Sequence, residues 1–276
     1  MSSNTSSIAD RILAPATRLM SRLRFTQKAM LIGGAFALTC AVLGTLVVRN
    51  TQQQISDAKL AGSTSVELRT LNDAMFAMQA HRDLMMLKLY NSPPSAAKIE
   101  DINKRVAEAF KAVETWQKDY ETTASLDAQL AAARTAWAAA QTPQADASAM
   151  VAAHNKALRQ MRLLTREYAS TGGVDVTSDP GEFYTGRAIS EWMPLLSNAS
   201  ATYGTTAAHV LGEQSIWTED RADFASSSSM ADFLIDRVTL DVANLKKTSP
   251  RVAEKVASKM DAAVKAVLPH RAFVQA

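Results

Sequence analysis

The sequence predicts an all-α protein: one N-terminal transmembrane helix followed by an extracytoplasmic antiparallel helical bundle, single or in two stacked parts. Three observations carry this. Ala-rich runs such as "AQLAAARTAWAAAQ" combine with only 10 Gly and 8 Pro in 276 residues, so helix propensity is high and strand signals are nearly absent. Apolar residues recur at three-and-four spacing through most of the chain. One stretch, "AMLIGGAFALTCAVLGTLVV" at 29–48, runs for twenty positions without a charge.

That stretch has the length needed to cross a hydrocarbon core of about 30 Å at about 1.5 Å per residue. A cleaved secretory signal has a shorter apolar region of about 7–15 residues and ends at a small-residue site, whereas this run is followed by "RNTQQQ". Gly33, Gly34 and Gly44 would weaken a helix in water but are tolerated in a bilayer. An uncleaved anchor is therefore expected. Arg11, Arg18, Arg22, Arg24 and Lys28 precede it against the single Asp10, so a basic tail at 1–28 is expected in the cytoplasm, with residues 50–276 outside the membrane. In a bacterium this places a single-pass chain in the inner membrane, with its C-terminal domain in the periplasm.

The rest of the chain holds 25 basic and 26 acidic residues, so the overall charge of +3 reflects the tail and implies no nucleic-acid partner. The only cysteine, Cys40, lies within the span, so the outer part is held by helix packing without disulfides.

Outside the span, a long helix is expected from Thr51 to about Tyr90, with Leu68, Leu71, Met75 and Met78 on one seam and "NSPP" as its stop. This stripe is expected to support a homodimer. A second helix from about Ala96 carries Ile99, Ile102, Val106, Val113 and Trp116 or Tyr120, with a break near Thr123 before the Ala-rich stretch ends at Pro143. A third, from about Ala145 to Tyr168, aligns Met150, His154, Leu158, Met161, Thr165 and Tyr168, with Arg159, Arg162 and Arg166 on its polar side. "STGGVDVTSDPGEFYTG" interrupts the pattern. A helix then starts near Glu182, bends around Pro194 and ends near Gly212, followed by helices at Thr218–Lys247 and Ser249–Leu268, the latter capped by Ser249 and stopped by Pro269.

Arg82 is the anomaly of the first outer helix. It occupies the seam position after Met78, and the apolar rhythm is expected to resume at Met85 and Leu89. One reading pairs it internally with Asp73 or Asp83, or lets it snorkel to the bundle edge, since a bare buried charge is costly. The other makes it an anion ligand, because a guanidinium grips a carboxylate or nitrate-like anion with two parallel bonds. Arg162 is the one credible second cation, the other arginines of its helix reading as a solvated face. His81, His154, His209 and His270 are far apart in sequence, and no phosphate loop or dense carboxylate spacing occurs, so no catalytic residue, metal or cofactor is expected.

Three segments in order, "SRLRFTQKAMLIG", "LNDAMFAMQAHRDLMMLKLYN" and "SDPGEFYTGRAISEWMPLL", give the chain a likeness to a known family. It resembles the N-terminal transmembrane and sensor region of bacterial methyl-accepting chemotaxis proteins and related sensor kinases. A Gln-x-His-Arg-Gly stretch of that family is matched by Gln79, His81 and Arg82, with Asp83 in place of Gly. An Asp-Pro, an aromatic pair and a Leu-Pro are matched by Asp179, Pro180, Phe183, Tyr184 and Pro194, with Met193 in place of Leu.

The resemblance implies a membrane-anchored helical sensor of a small anion or organic acid, with His81 and Arg82 as ligand residues; Arg162, on the seam side of its helix, and Tyr184, which could donate to an anion but reads as well as a core aromatic, are the further candidates. It also implies that a second span and signalling helices would follow Ala276, so the chain reads as truncated before its output region. A non-sensing anchored scaffold, or a partner subunit of an envelope complex, is the alternative.

Overall fold

The computed structural model describes residues 24–90, 94–120, 122–174 and 179–256, with positions 258, 259 and 262. The expected tail up to residue 23, the stop at 91–93, Asp175 in the loop, and the end of the last helix at Leu268 and Pro269 lie outside the described residues. Among the described residues there are helices and no strands. The all-α expectation is met.

The helices are α1 (Phe25–Leu89), α2 (Ala96–Asp119), α3 (Ala124–Gln141), α4 (Ala147–Thr171), α5 (Pro180–Arg187), α6 (Met193–Glu213) and α7 (Thr218–Thr248). A π-helical turn, Ala188–Trp192, leads from α5 into α6. Residues 250–256 are also helical, beginning with the expected Ser249, whose carbonyl accepts from the Ala253 amide at 3.0 Å. The chain divides into two compact units, residues 1–58 and 59–276.

In the first unit, the described part of α1 carries Phe36, Leu38, Val42, Leu43, Leu46, Val47 and Val48, all exposed. A run of exposed apolar side chains of this kind differs from the amphipathic pattern of helices packed on a core. Among the described residues no helix is long and apolar enough to cross a membrane. The side chains of Ala29, Leu31, Ile32 and Ala35, all inside the expected span, are not among those described.

The second unit is built on a four-helix core. Leu68, Leu71, Met75 and Met78 of α1 pack with Ile102, Val106, Val113 and Trp116 of α2, Leu126, Leu130 and Trp137 of α3, and Leu158, Met161, Leu164 and Tyr168 of α4. Removing each large apolar side chain from water contributes about 1.5–3 kcal/mol, which drives these helices together. Small residues such as Ala133, Ala136 and Ala140 let α3 approach α4 closely. The 68–78 stripe is thus consumed inside the chain, which corrects the expectation that it supports a dimer. The seam resumes at Met86 rather than at Met85 and Leu89; Leu89 is 46% exposed.

Helix starts follow side-chain caps. Ser95, Thr123, Asp146 and Asp179 accept from the amides of Lys98, Leu126, Ala149 and Glu182, satisfying donors that the first turn leaves open. Thr123 marks the break expected there. Asp179 with Pro180 starts α5 two residues earlier than the expected Glu182, since proline at the first helical position loses no hydrogen bond.

A second layer, α5 to α7, has its own core of Leu196, Ala199, Ala231, Leu234 and Ile235, with Ala188, Val238 and Val242 beside it. The α6–α7 pair is antiparallel: His209 meets Asp220, Tyr203 meets Phe224 and Trp192 meets Asp241.

Alongside α1 the same segment runs parallel. Asn72 donates to Ile189 O at 3.2 Å, Ser197 to Gln79 Oε1 at 2.9 Å, Thr205 to Asp83 Oδ1 at 2.5 Å and Tyr90 to Glu213 Oε1 at 3.3 Å. These contacts form a polar seam on the face of α1 beside its apolar stripe. Gly212 lies directly on the Tyr90 ring, where any Cβ would collide with it.

Candidate ligand site

The seam contains the anomaly. Arg82 is fully buried. Its Nη1 donates to Asn155 Oδ1 of α4 at 2.7 Å, while Nε lies 3.7 Å from Asp83 Oδ1, beyond hydrogen-bond reach. Nε and Nη2 have no hydrogen-bond partner. Burial pulls the Arg82 guanidinium below its usual range, with Asp83 partly offsetting the effect. Burial also pushes the Asp83 carboxyl up, opposed by the Thr205 hydrogen bond and by Arg82. The carboxylate beside Arg82 is therefore Asp83; Asp73 is exposed and is not its partner.

One residue back, His81 touches His154 at 2.7 Å, Nδ1 to Nε2, although 73 residues separate the two histidines. His154 Nδ1 lies 2.8 Å from Met150 O, which can only accept, so this nitrogen carries hydrogen. In the neutral ring Nε2 then accepts, and His81 Nδ1–H donates to it. Stacking at 5.0 Å and the edge of Trp137 at 5.1 Å from His81 complete a closed cluster. Burial, then the neighbouring His154, pushes His81 down to about 4, and burial lowers His154 as well. Both rings are neutral near pH 7. His81 is only 3% exposed and lines neither cavity described below, so it supports the site from behind.

A cavity of about 260 Å³ opens between α1, α4 and α6, walled by Gln79, Asn155, Arg159, Arg162, Asn198 and Thr202 over Met75, Leu158 and Pro194. Arg162 is half-buried, and its guanidinium is held below the usual range by burial and by Arg159, against the pull of Glu191. Arg159 is exposed, as expected of a solvated face, and also forms part of this wall. Asn155 and Thr202 also wall a second cavity of about 320 Å³, where Arg82 and Thr205 meet Glu219, Asp220 and Asp223 of α7.

Tyr184 is elsewhere. Arg187 lies over the rings of Phe183, Tyr184 and Trp192 at 5.0–5.7 Å and forms a two-nitrogen ion pair with the buried Asp241, to which Trp192 Nε1 also donates at 2.9 Å. The aromatic pair of the motif thus packs an internal cation, and Asp179 caps a helix. Of the four expected ligand residues, Arg82 and Arg162 come to one region, His81 stands behind them and Tyr184 is excluded.

Sequence reasoning missed Asn155, Arg159, Asn198, Thr202 and Thr205. Only Asn155, next to the seam residue His154, had a usable signal: a polar side chain placed to meet Arg82 across the helix pair. Among the described residues no group of three or more His, Cys, Asp or Glu side chains could hold a metal ion. No protein-family model, curated protein or solved structure matches the chain.

Proposed function

We propose that the chain is the membrane-anchored, extracytoplasmic ligand-sensing module of a chemoreceptor-type signal transducer, and that it binds a small anion or organic acid in the cavity between α1, α4 and α6. The observation that carries the reading is the pair of guanidinium groups, Arg159 and Arg162, on the wall of a cavity next to the buried Arg82. The site joins the four-helix core to the second layer, so an anion drawn to α4 would shift α6 against α1. A displacement between parallel helices is the kind of change that can be passed along a long helix such as α1.

The anchor at 29–48 is supported by its twenty uncharged positions, its basic flank and the exposed apolar side chains around this part of α1. A homodimer remains part of the reading, with the 68–78 stripe excluded as its contact. The test of function is a thermal-shift screen of the detergent-solubilised full chain against small carboxylates and inorganic anions at constant ionic strength. Binding to the native state raises Tm. A response lost in Arg162→Gln supports the reading; a flat response to every anion removes it. The topology is tested by an alkaline phosphatase fusion after Ala276, which is active only if that end lies outside.

A further inference from the structure

The cavity's hydrogen-bonding polarity narrows the ligand. Gln79 Oε1 accepts from Ser197 and Asn155 Oδ1 accepts from Arg82, which orients both amides; among the described residues neither NH2 group donates to a protein acceptor. Asn198 Oδ1 is a buried acceptor, out of contact with solvent and without a hydrogen-bond partner among the described residues, and Thr202 Oγ1 donates to Asn198 O. With the guanidinium groups of Arg159 and Arg162 on the same wall, the lining offers donors and has few acceptors left to give. Its volume of about 260 Å³ is room for roughly eight waters at about 30 Å³ each, far more than one inorganic anion fills. Met75, Leu158 and Pro194 give it an apolar floor.

Building on the anion reading above, we infer that the site takes an acceptor-only organic dianion, a short aliphatic dicarboxylate, and rejects its amino-substituted counterpart. One carboxylate meets the Arg159 and Arg162 forks, the other meets the amide donors, and the carbon chain lies on the apolar floor. An ammonium group on that chain would add three donors and a positive charge to a cavity already rich in both, leaving them unpaired on binding.

The experiment compares succinate, L-aspartate, acetate and nitrate as stabilisers of the detergent-solubilised full chain at pH 7.5 and constant ionic strength. Succinate is expected to act at a half-maximal concentration at least about tenfold below each of the others, a factor equal to about one decade in Kd. Gln79→Glu, nearly isosteric, and Arg162→Gln should each weaken succinate about tenfold or more while the helical circular dichroism stays that of the parent. Aspartate matching succinate, acetate or nitrate matching it within about threefold, or unchanged succinate response in both folded variants overturns the dicarboxylate assignment and leaves the anion reading standing. No response to any of the four overturns both.

Discussion

Helix α1 presents two faces that obey different rules. Toward α2, α3 and α4 it buries Leu68, Leu71, Met75 and Met78, where contact is non-directional and any well-packed apolar neighbour suffices. Toward the π turn and α6 it offers Asn72, Gln79 and Asp83, with Tyr90 just past its end, each at hydrogen-bond distance from a specific partner there. The first face sets that the helices associate. The second sets how α6 lies along α1, at far smaller net energy, because each bond replaces one with water. An interface that is geometrically specific but energetically shallow is the one a ligand of modest affinity can shift.

The widest separation between the faces is expected from Leu71→Asp, which places an unpaired carboxylate in the core and should cost more than about 4 kcal/mol, seen as lost helical circular dichroism or non-cooperative melting. A variant as stable as the parent would mean that this stripe is not core.

Arg82→Met probes the boundary between the faces, and it tests a sign. The guanidinium has two buried nitrogens without hydrogen-bond partners, and its nearest carboxylate, Asp83, accepts from Thr205. Removal should therefore leave urea stability unchanged or raise it, because the remaining Asp83 is partly exposed and keeps its Thr205 hydrogen bond. A loss of about 3–5 kcal/mol would make Arg82–Asp83 a required internal pair.

The histidine pair gives a pH dependence. Both folded-state values lie below the ordinary 6.5, so the unfolded chain binds more protons as pH falls below 6.5, and the stability of the neutral pair is lost from there down through about 4. His81 alone accounts for up to about 3 kcal/mol at about 1.36 kcal/mol per pH unit. Urea melts at pH 7.5 and 5 should show the drop, and His81→Leu combined with His154→Leu should reduce it; an equal drop in the double variant would assign the effect to other groups. The smallest effect belongs to Ser197→Ala on the polar seam, about 0.5–1.5 kcal/mol by the same melts.

Periodicity made the core legible. Met150, His154, Leu158, Met161, Thr165 and Tyr168 stand in the sequence at helical spacing, and all six are buried. Arg82 was legible for the same reason, as a charge on an apolar stripe. Its partner Asn155, and the Thr205 bonded to the neighbouring Asp83, were not, because they lie 73 and 122 positions away from the residues they meet, and local spacing holds no information about such contacts. Tyr184 was misplaced because an aromatic next to Arg187 has the same local signal whether it meets a ligand or an internal cation. The exposure of Arg159 was legible, but the wall that α6 adds opposite it was not, because nothing on its own helix reveals it.

The π turn at Ala188–Trp192 closes with the Met193 amide on Ala188 O, five residues back, and so accommodates one residue more than an α turn. The extra residue is absorbed within that turn, so deleting Ile189 would let it close as ordinary α-helix and leave Ser197, Asn198, Thr202 and Thr205 in nearly their present phase. A deletion between Asn198 and Thr202 has no such turn to absorb it, and would swing Thr202 and Thr205 by about 100° relative to Asn198 without changing a residue type. What specifies this site is therefore residue count as well as residue kind, and among related sequences a change of length inside α6 would separate chains that share the bundle from those that share the site, where one at the π turn would not.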